Sequence, residues 1–126
     1  MIRYPYVTQV EPPAPFIHVT VRCPTTGKEV SQLAAQVDTA ADRSVLPWKV
    51  VDQLGLVVIR EIPLGGLGGN IVKMSTFLVQ IEPRQLQPVM IEAVATPHES
   101  VVLLGRDVLN HFRLVLDGPG RALEIG

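Results

Sequence analysis

Val37-Asp38-Thr39-Ala40-Ala41-Asp42, followed after Arg43 by Ser44-Val45-Leu46, is the stretch on which the reading of this chain turns. A carboxylate stands where an apolar run gives way to small residues. Small neighbours leave its oxygens open to another molecule. Taken alone, the plainer reading is a turn in which Asp38 and Asp42 accept backbone hydrogen bonds, a common use of aspartate.

The segment feeding into it is strand-like. In residues 16–23, Ile17, Val19, Val21 and Cys23 fall on one face, and His18, Thr20 and Arg22 on the other. That period of two signals a strand. Pro24 to Lys28 carries turn chemistry, and Glu29 to Val37 reads as the return strand that delivers Asp38. Residues from Asp38 to Pro47 read as a loop. From Trp48 to Leu56 the pattern is a short amphipathic helix, with Val50, Val51 and Leu54 on one side, Pro47 suited to its start and Gly55 to its end.

Residues 57–82 hold two strand-like runs around Gly65-Gly66-Leu67-Gly68-Gly69-Asn70, which describes a long hairpin with a glycine-rich tip. No Gly-Lys-Ser/Thr follows, so a phosphate loop is unsupported. Residues 87–96 supply a further strand. Residues 101–112 begin as an apolar strand and turn into a short helix after Gly105, and residues 113–125 form a last hairpin around Asp117-Gly118-Pro119-Gly120. Residues 1–15, punctuated by Pro5, Pro12, Pro13 and Pro15, read as an extended arm, either frayed or packed on a neighbour. The expected fold is all-β: a single domain over residues 16–126, closer to a barrel than to α/β layers, with two short helices.

Composition narrows the function. The 126 residues are 47% hydrophobic and 18% charged, with formal net charge -1. This supplies a core and argues against disorder. Without a basic run or many aromatics, no nucleic-acid partner is expected. No stretch approaches the roughly 20 apolar residues of a membrane helix, and the N-terminus lacks the apolar core of a signal peptide. A soluble, cytoplasmic protein with no membrane partner is expected. The one cysteine, Cys23, forms no internal disulfide and is read as a buried thiol. His18, His98 and His111 lack metal-ligand spacing. Asp38 and Asp42 lack further oxygen ligands, and no Gly-x-Ser-x-Gly elbow is present. No metal and no cofactor are expected.

A second segment bears on the first. In Val101-Val102-Leu103-Leu104-Gly105-Arg106-Asp107, Gly105 permits close backbone approach or an unusual dihedral angle. Arg106 is a candidate partner for Asp42, since arginine holds a carboxylate in two-pronged geometry. The ordinary alternative is a buried strand and a helix start capped by Asp107.

Taken together, the segments resemble the retropepsin-like aspartic proteases. Asp38-Thr39-Ala40-Ala41-Asp42 with Ser44-Val45-Leu46 is similar to the family's catalytic loop, in which Gly is commonest and Ala also occurs at the position of Ala40. Gly65 to Gly69 is similar to its flap tip, and Leu103-Leu104-Gly105-Arg106-Asp107-Val108-Leu109 to the segment before its C-terminal helix. The order is the family's, and the resemblance runs from about residue 16 to the C-terminus. It implies an aspartic endopeptidase with Asp38 catalytic and Thr39 hydrogen-bonding across a dimer beneath it. Ala40 belongs to the same loop, and Ala41 and Asp42 contact the substrate. Gly66, Leu67 and Gly68 would lie over the peptide, Leu46 and Val102 would form apolar walls, and Arg106 would brace the loop.

The implied chemistry needs two carboxylates sharing a proton, and the Asp-Thr-Ala segment occurs once. The second carboxylate must then come from another chain, so a homodimer acting on a peptide or protein substrate is expected. The proline-rich arm and Ala122-Leu123-Glu124-Ile125 are expected, by family analogy, to form the dimer's sheet. The alternative is a non-catalytic module that keeps the fold for dimerisation or peptide binding.

Overall fold

The structure is a computed structural model and describes residues 1–65 and 68–126. Ten strands and two helices follow in the order β1 (Ile2–Pro5), β2 (Phe16–Arg22), β3 (Glu29–Val37), β4 (Val45–Pro47), α1 (Trp48–Leu54), β5 (Val58–Gly65), β6 (Ile71–Pro83), β7 (Val89–Thr96), β8 (Val102–Leu104), α2 (Arg106–Leu109), β9 (Leu114–Asp117) and β10 (Ala122–Ile125). The all-β class with two short helices is the one expected from the sequence.

Strands β2-β3-β8-β4-β7-β6 lie side by side, and β6 pairs back onto β2, closing a six-stranded barrel from which β5 extends as an edge strand. The alternation in β2 places Ile17, Val19 and Val21 inside, each at most 1% exposed, and Phe77, Val79 and Ile81 of β6 meet them from the closing strand. Burying one such side chain stabilises the fold by roughly 1.5–3 kcal/mol. Helix α1 covers one end of the barrel with Val50, Val51 and Leu54, and Gly55 ends it in the left-handed conformation.

One topological feature builds the functional region. Strands β3 and β4 are neighbours in sequence but not in space, because β8 lies between them, parallel to β3 and antiparallel to β4. The connection 38–44 must therefore arch over the C-terminal end of β8, where Gly105 follows. The expected loop from Asp38 to Pro47 is shorter than the sequence suggested. Val45 to Pro47 pair in parallel with Val94 to Thr96 of β7, a long-range contact with no local signature.

The N-terminal arm is not a free extension. β1 pairs with β10, and β10 with β9, in a three-stranded antiparallel sheet, and Tyr4 is buried against the core. A bridge between Val7 and Ala14 folds the next residues back on themselves. This alters the expected role of Ala122–Ile125: both edges of β10 are already occupied within the chain, leaving β1 and β9 as the outer strands.

Candidate active site

The 38–44 loop is held from below by main-chain hydrogen bonds. The Asp38 N–H donates to the Leu104 carbonyl (2.9 Å), and the Arg106 N–H donates to the Ala41 carbonyl (2.9 Å). Gly105 sits between these two contacts. A Cβ there would stand 2.7 Å from the Arg43 carbonyl carbon and 2.9 Å from the Ala41 oxygen. Its φ of -89° suits any residue, so glycine is required for space and not for dihedral freedom.

Side chains complete the clamp. Arg106 donates from Nη1 to the Thr39 carbonyl (2.7 Å) and from Nη2 to the Asp42 carboxylate, so the guanidinium spans both sides of the loop. Asp107, read from sequence as a possible helix cap, has a longer reach. It accepts from the Ser44 hydroxyl (2.7 Å) and from the Ser44 N–H (2.9 Å), and Ser44 Oγ accepts from the Gly105 N–H (3.0 Å). Ser44 is wholly buried, and its hydroxyl is satisfied on both sides. Sequence reasoning passed over this pair, whose partners stand 63 positions apart.

Asp38 is half-buried at the strand end, and Thr39 and Ala40 are exposed. The Ala40 N–H donates to Asp38 Oδ1 at 3.2 Å, the short-range aspartate turn that the plainer reading anticipated. Among the described residues no cation stands within salt-bridge distance of Asp38.

Ala40, Ala41, Asp42, Arg43 and Val45 line a cavity of about 240 Å³, with Val94 of the adjacent β7 beside Val45 and with Leu64 and Gly65 of β5. The turn end of the β5–β6 hairpin thus borders the same open cleft as the loop. Gly68, expected at the hairpin tip, has φ +85° and is followed by Gly69 at +77°, conformations that glycine adopts without a side-chain penalty. Gly66 and Leu67 lie outside the described residues.

Two residues expected as apolar walls are buried. Leu46 and Val102 are both 0% exposed, and neither lines this cavity. Residues along a strand alternate between faces. Val45, one position earlier, is the one that lines the cavity, and it pairs with Leu103, which is half-buried. The sequence is apolar on both faces here, so it offered no way to choose between them.

Other chemistry-bearing groups lie elsewhere. Cys23 is buried 3.3 Å from the Thr25 hydroxyl, and hydrogen bonds from Thr25 and then Thr26 bring its pKa down to about 7. His18, His98 and His111 are exposed. Among the described residues no group of three His, Cys, Asp or Glu side chains could hold a metal ion. Among the described residues no helix is long and apolar enough to cross a membrane.

A closed barrel whose two-strand crossover is clamped by a Gly-Arg-Asp segment, with a glycine-tipped hairpin beside it, defines a retropepsin-like aspartic protease fold. Residues 19–108 match the family model of aspartyl proteases, and the chain belongs to that family. Among solved structures it is similar to the protease of EIAV in complex with the inhibitor HBY-793, with 26% identity and a TM-score of 0.58 over 87% of this chain and 100% of that one. It is also similar to a retropepsin-like aspartic protease from Rickettsia conorii (15% identity, TM-score 0.64, 97% and 86% coverage). A third similar structure is the retroviral protease-like domain of Ddi1 from Leishmania major (12% identity, TM-score 0.54, 89% and 87% coverage). The last two likenesses concern the fold alone. A comparison with curated protein sequences finds no significant match.

Proposed function

We propose that this chain is one half of a homodimeric aspartic endopeptidase, with Asp38 as its catalytic carboxylate. The observation that carries this reading is the setting of Asp38. It lies within the segment matched to the aspartyl proteases, two residues from the wall of an open cleft, on a loop fixed to the end of β8 by its own N–H. Among the described residues no cation lies within salt-bridge distance of it.

The chain offers one such carboxylate, and the reaction needs two. A second copy related by a two-fold axis supplies the other. Two carboxylates at close range resist ionising together, so the pair keeps one proton between them. The ionised member takes a proton from a water, which attacks the scissile carbonyl. The protonated member gives its proton to the carbonyl oxygen. The tetrahedral intermediate then collapses to an amine and an acid, with no covalent bond to the enzyme.

In this reading Thr39 hydrogen-bonds across the dimer beneath the carboxylates, while Ala41 and Asp42 contact the peptide backbone. The β5–β6 hairpin, with Gly68 near its tip, closes over an extended peptide that lies against strand edges. Arg106 keeps the loop in place. The outer strands of the terminal sheet, β1 and β9, are available to the second copy.

A second reading keeps the fold but not the reaction. Ala40 favours it, because this residue adds a methyl beside Asp38 where most members of the family have glycine. Replacing Asp38 with asparagine and assaying peptide cleavage at mildly acid pH separates the two. Proteolysis requires cleavage to vanish while the variant stays folded. Cleavage that survives the substitution rejects the mechanism. An inert wild type that also fails to hold a statine-type transition-state mimic supports the non-catalytic module.

A further inference from the structure

The cleft carries one charge that the proposed chemistry does not use. Arg43 lines it together with Ala40, Ala41, Val45 and Leu64. Its Nη1 donates to the Glu92 carbonyl oxygen at 3.2 Å, which engages one of the five N–H donors of a guanidinium.

The charges around it are already matched. Asp42 is taken by Arg106. The Glu92 carboxylate accepts from Arg60 Nε at 2.9 Å and from the Thr76 hydroxyl at 3.3 Å. Glu92 ionises more readily than usual mainly through Arg60, with the charge of Arg43 the weakest contribution. Three guanidinium groups, of Arg43, Arg60 and Arg106, thus meet two carboxylates, and of these three Arg43 is the one with no described carboxylate within salt-bridge distance. It is half-buried on a wall that holds, besides the Arg106-paired Asp42, only small and apolar side chains, where a charge is screened less than in open water.

We propose that Arg43 makes this cleft select peptides that carry an aspartate or glutamate close to the cut bond. The inference rests on the proteolytic reading above and names its substrate class. A carboxylate can take two parallel hydrogen bonds from a guanidinium, which a neutral or cationic side chain cannot. Apolar contact with Val45 and Leu64, both half-buried, holds the methylene stem of the acid. A two-fold dimer presents one Arg43 in each half of the cleft, so acidic residues are favoured on both sides of the cut.

The test uses one parent peptide with glutamate, glutamine or lysine placed at each position flanking the cut bond. Wild type, Arg43→Gln and Arg43→Glu are assayed on the whole set. Wild type is expected to favour glutamate over glutamine by about tenfold in kcat/KM at the sensitive positions, equivalent to about 1.4 kcal/mol. Lysine is expected to be worst, and the preference to shrink as salt is raised. Arg43→Gln should flatten the ratio, and Arg43→Glu should turn it toward lysine. Ratios within one variant do not depend on how much of it folds. A wild type that cleaves in an Asp38-dependent way without acidic preference, or a preference unchanged in both variants, overturns the role of Arg43 alone. Absence of any Asp38-dependent cleavage overturns proteolysis itself, and this inference with it.

Discussion

Ser44 and Asp107 are joined by two hydrogen bonds, hydroxyl to Oδ1 at 2.7 Å and main-chain N–H to Oδ2 at 2.9 Å, and this pair fastens the end of the 38–44 loop to the start of α2. Each partner serves a second group: Ser44 Oγ accepts from the Gly105 N–H, and Asp107 Oδ1 accepts from the Val108 N–H. Asp107→Ala leaves a wholly buried hydroxyl without its acceptor. Hydrogen bonds to charged groups contribute about 1.5–3 kcal/mol, so a loss of that order is expected in urea unfolding. Ser44→Ala should cost a similar amount. The double variant should lose clearly less than the sum, because both changes break one network. Additive losses would mean that the two residues act independently.

Gly105 gives a prediction about space. Its φ is ordinary, yet a Cβ would meet main-chain atoms at 2.7–2.9 Å, which no side-chain rearrangement relieves. Gly105→Ala is expected to destabilise by about 1–3 kcal/mol, the range for forced overpacking, and to shift the loop that carries Asp38. The unfolding midpoint checks the first effect and cleavage of a reference peptide the second. A variant as stable and active as wild type would contradict the crowding.

Much of this region could be read from the sequence because its constraints are local in type. Asp38 among small residues and Gly105 beside Arg106 each fit an ordinary turn or helix start alone, and became legible through their occurrence together in the family's order. The hairpin strands were legible through alternation, as in Ile17, Val19 and Val21. The rest was hidden for physical reasons. Leu46 and Val102 sit in stretches that are apolar on both faces, so periodicity gave no direction. The pairing of Val45 with Val94, the docking of Tyr4 and the Ser44–Asp107 pair depend on residues brought together from distant parts of the chain. Arg43 drew no attention, because an arginine in a loop carries no signal until the cavity around it is known.

Arg106 separates positioning from stability. Its pair with Asp42 is largely exposed, at 42% and 78% of the side chains, and exposed pairs typically contribute under about 1 kcal/mol. Its bond to the Thr39 carbonyl instead fixes the residue next to Asp38. Arg106→Gln is therefore expected to lower kcat/KM by about tenfold or more while moving the unfolding free energy by under about 1 kcal/mol. Paired kinetic and denaturation measurements decide it, and equal small effects on both would remove the positioning role.

The Arg60–Glu92 pair predicts a pH dependence. Hydrogen bonding from Arg60 is the main cause that holds the Glu92 carboxyl below the ordinary carboxylate range. A group whose folded pKa is depressed stabilises the fold at pH above its unfolded value. That contribution fades as pH falls through the folded value. Wild type should thus exceed Arg60→Gln in stability near neutrality, and the difference should narrow as the solution is acidified below the ordinary range. A gap that stays constant down to the acid limb would show that Arg60 acts by packing and not by charge.

The central claim is that each working site takes one Asp38 from each of two chains, and mixing tests it most directly. Wild type and Asp38→Asn chains are combined in varying proportion at fixed total concentration and allowed to exchange subunits. If both carboxylates are needed, activity follows the square of the wild-type fraction and falls to about one quarter in an equal mixture. Activity that falls only in proportion, to about one half at equal mixing, would mean that each chain works alone and would contradict the shared site.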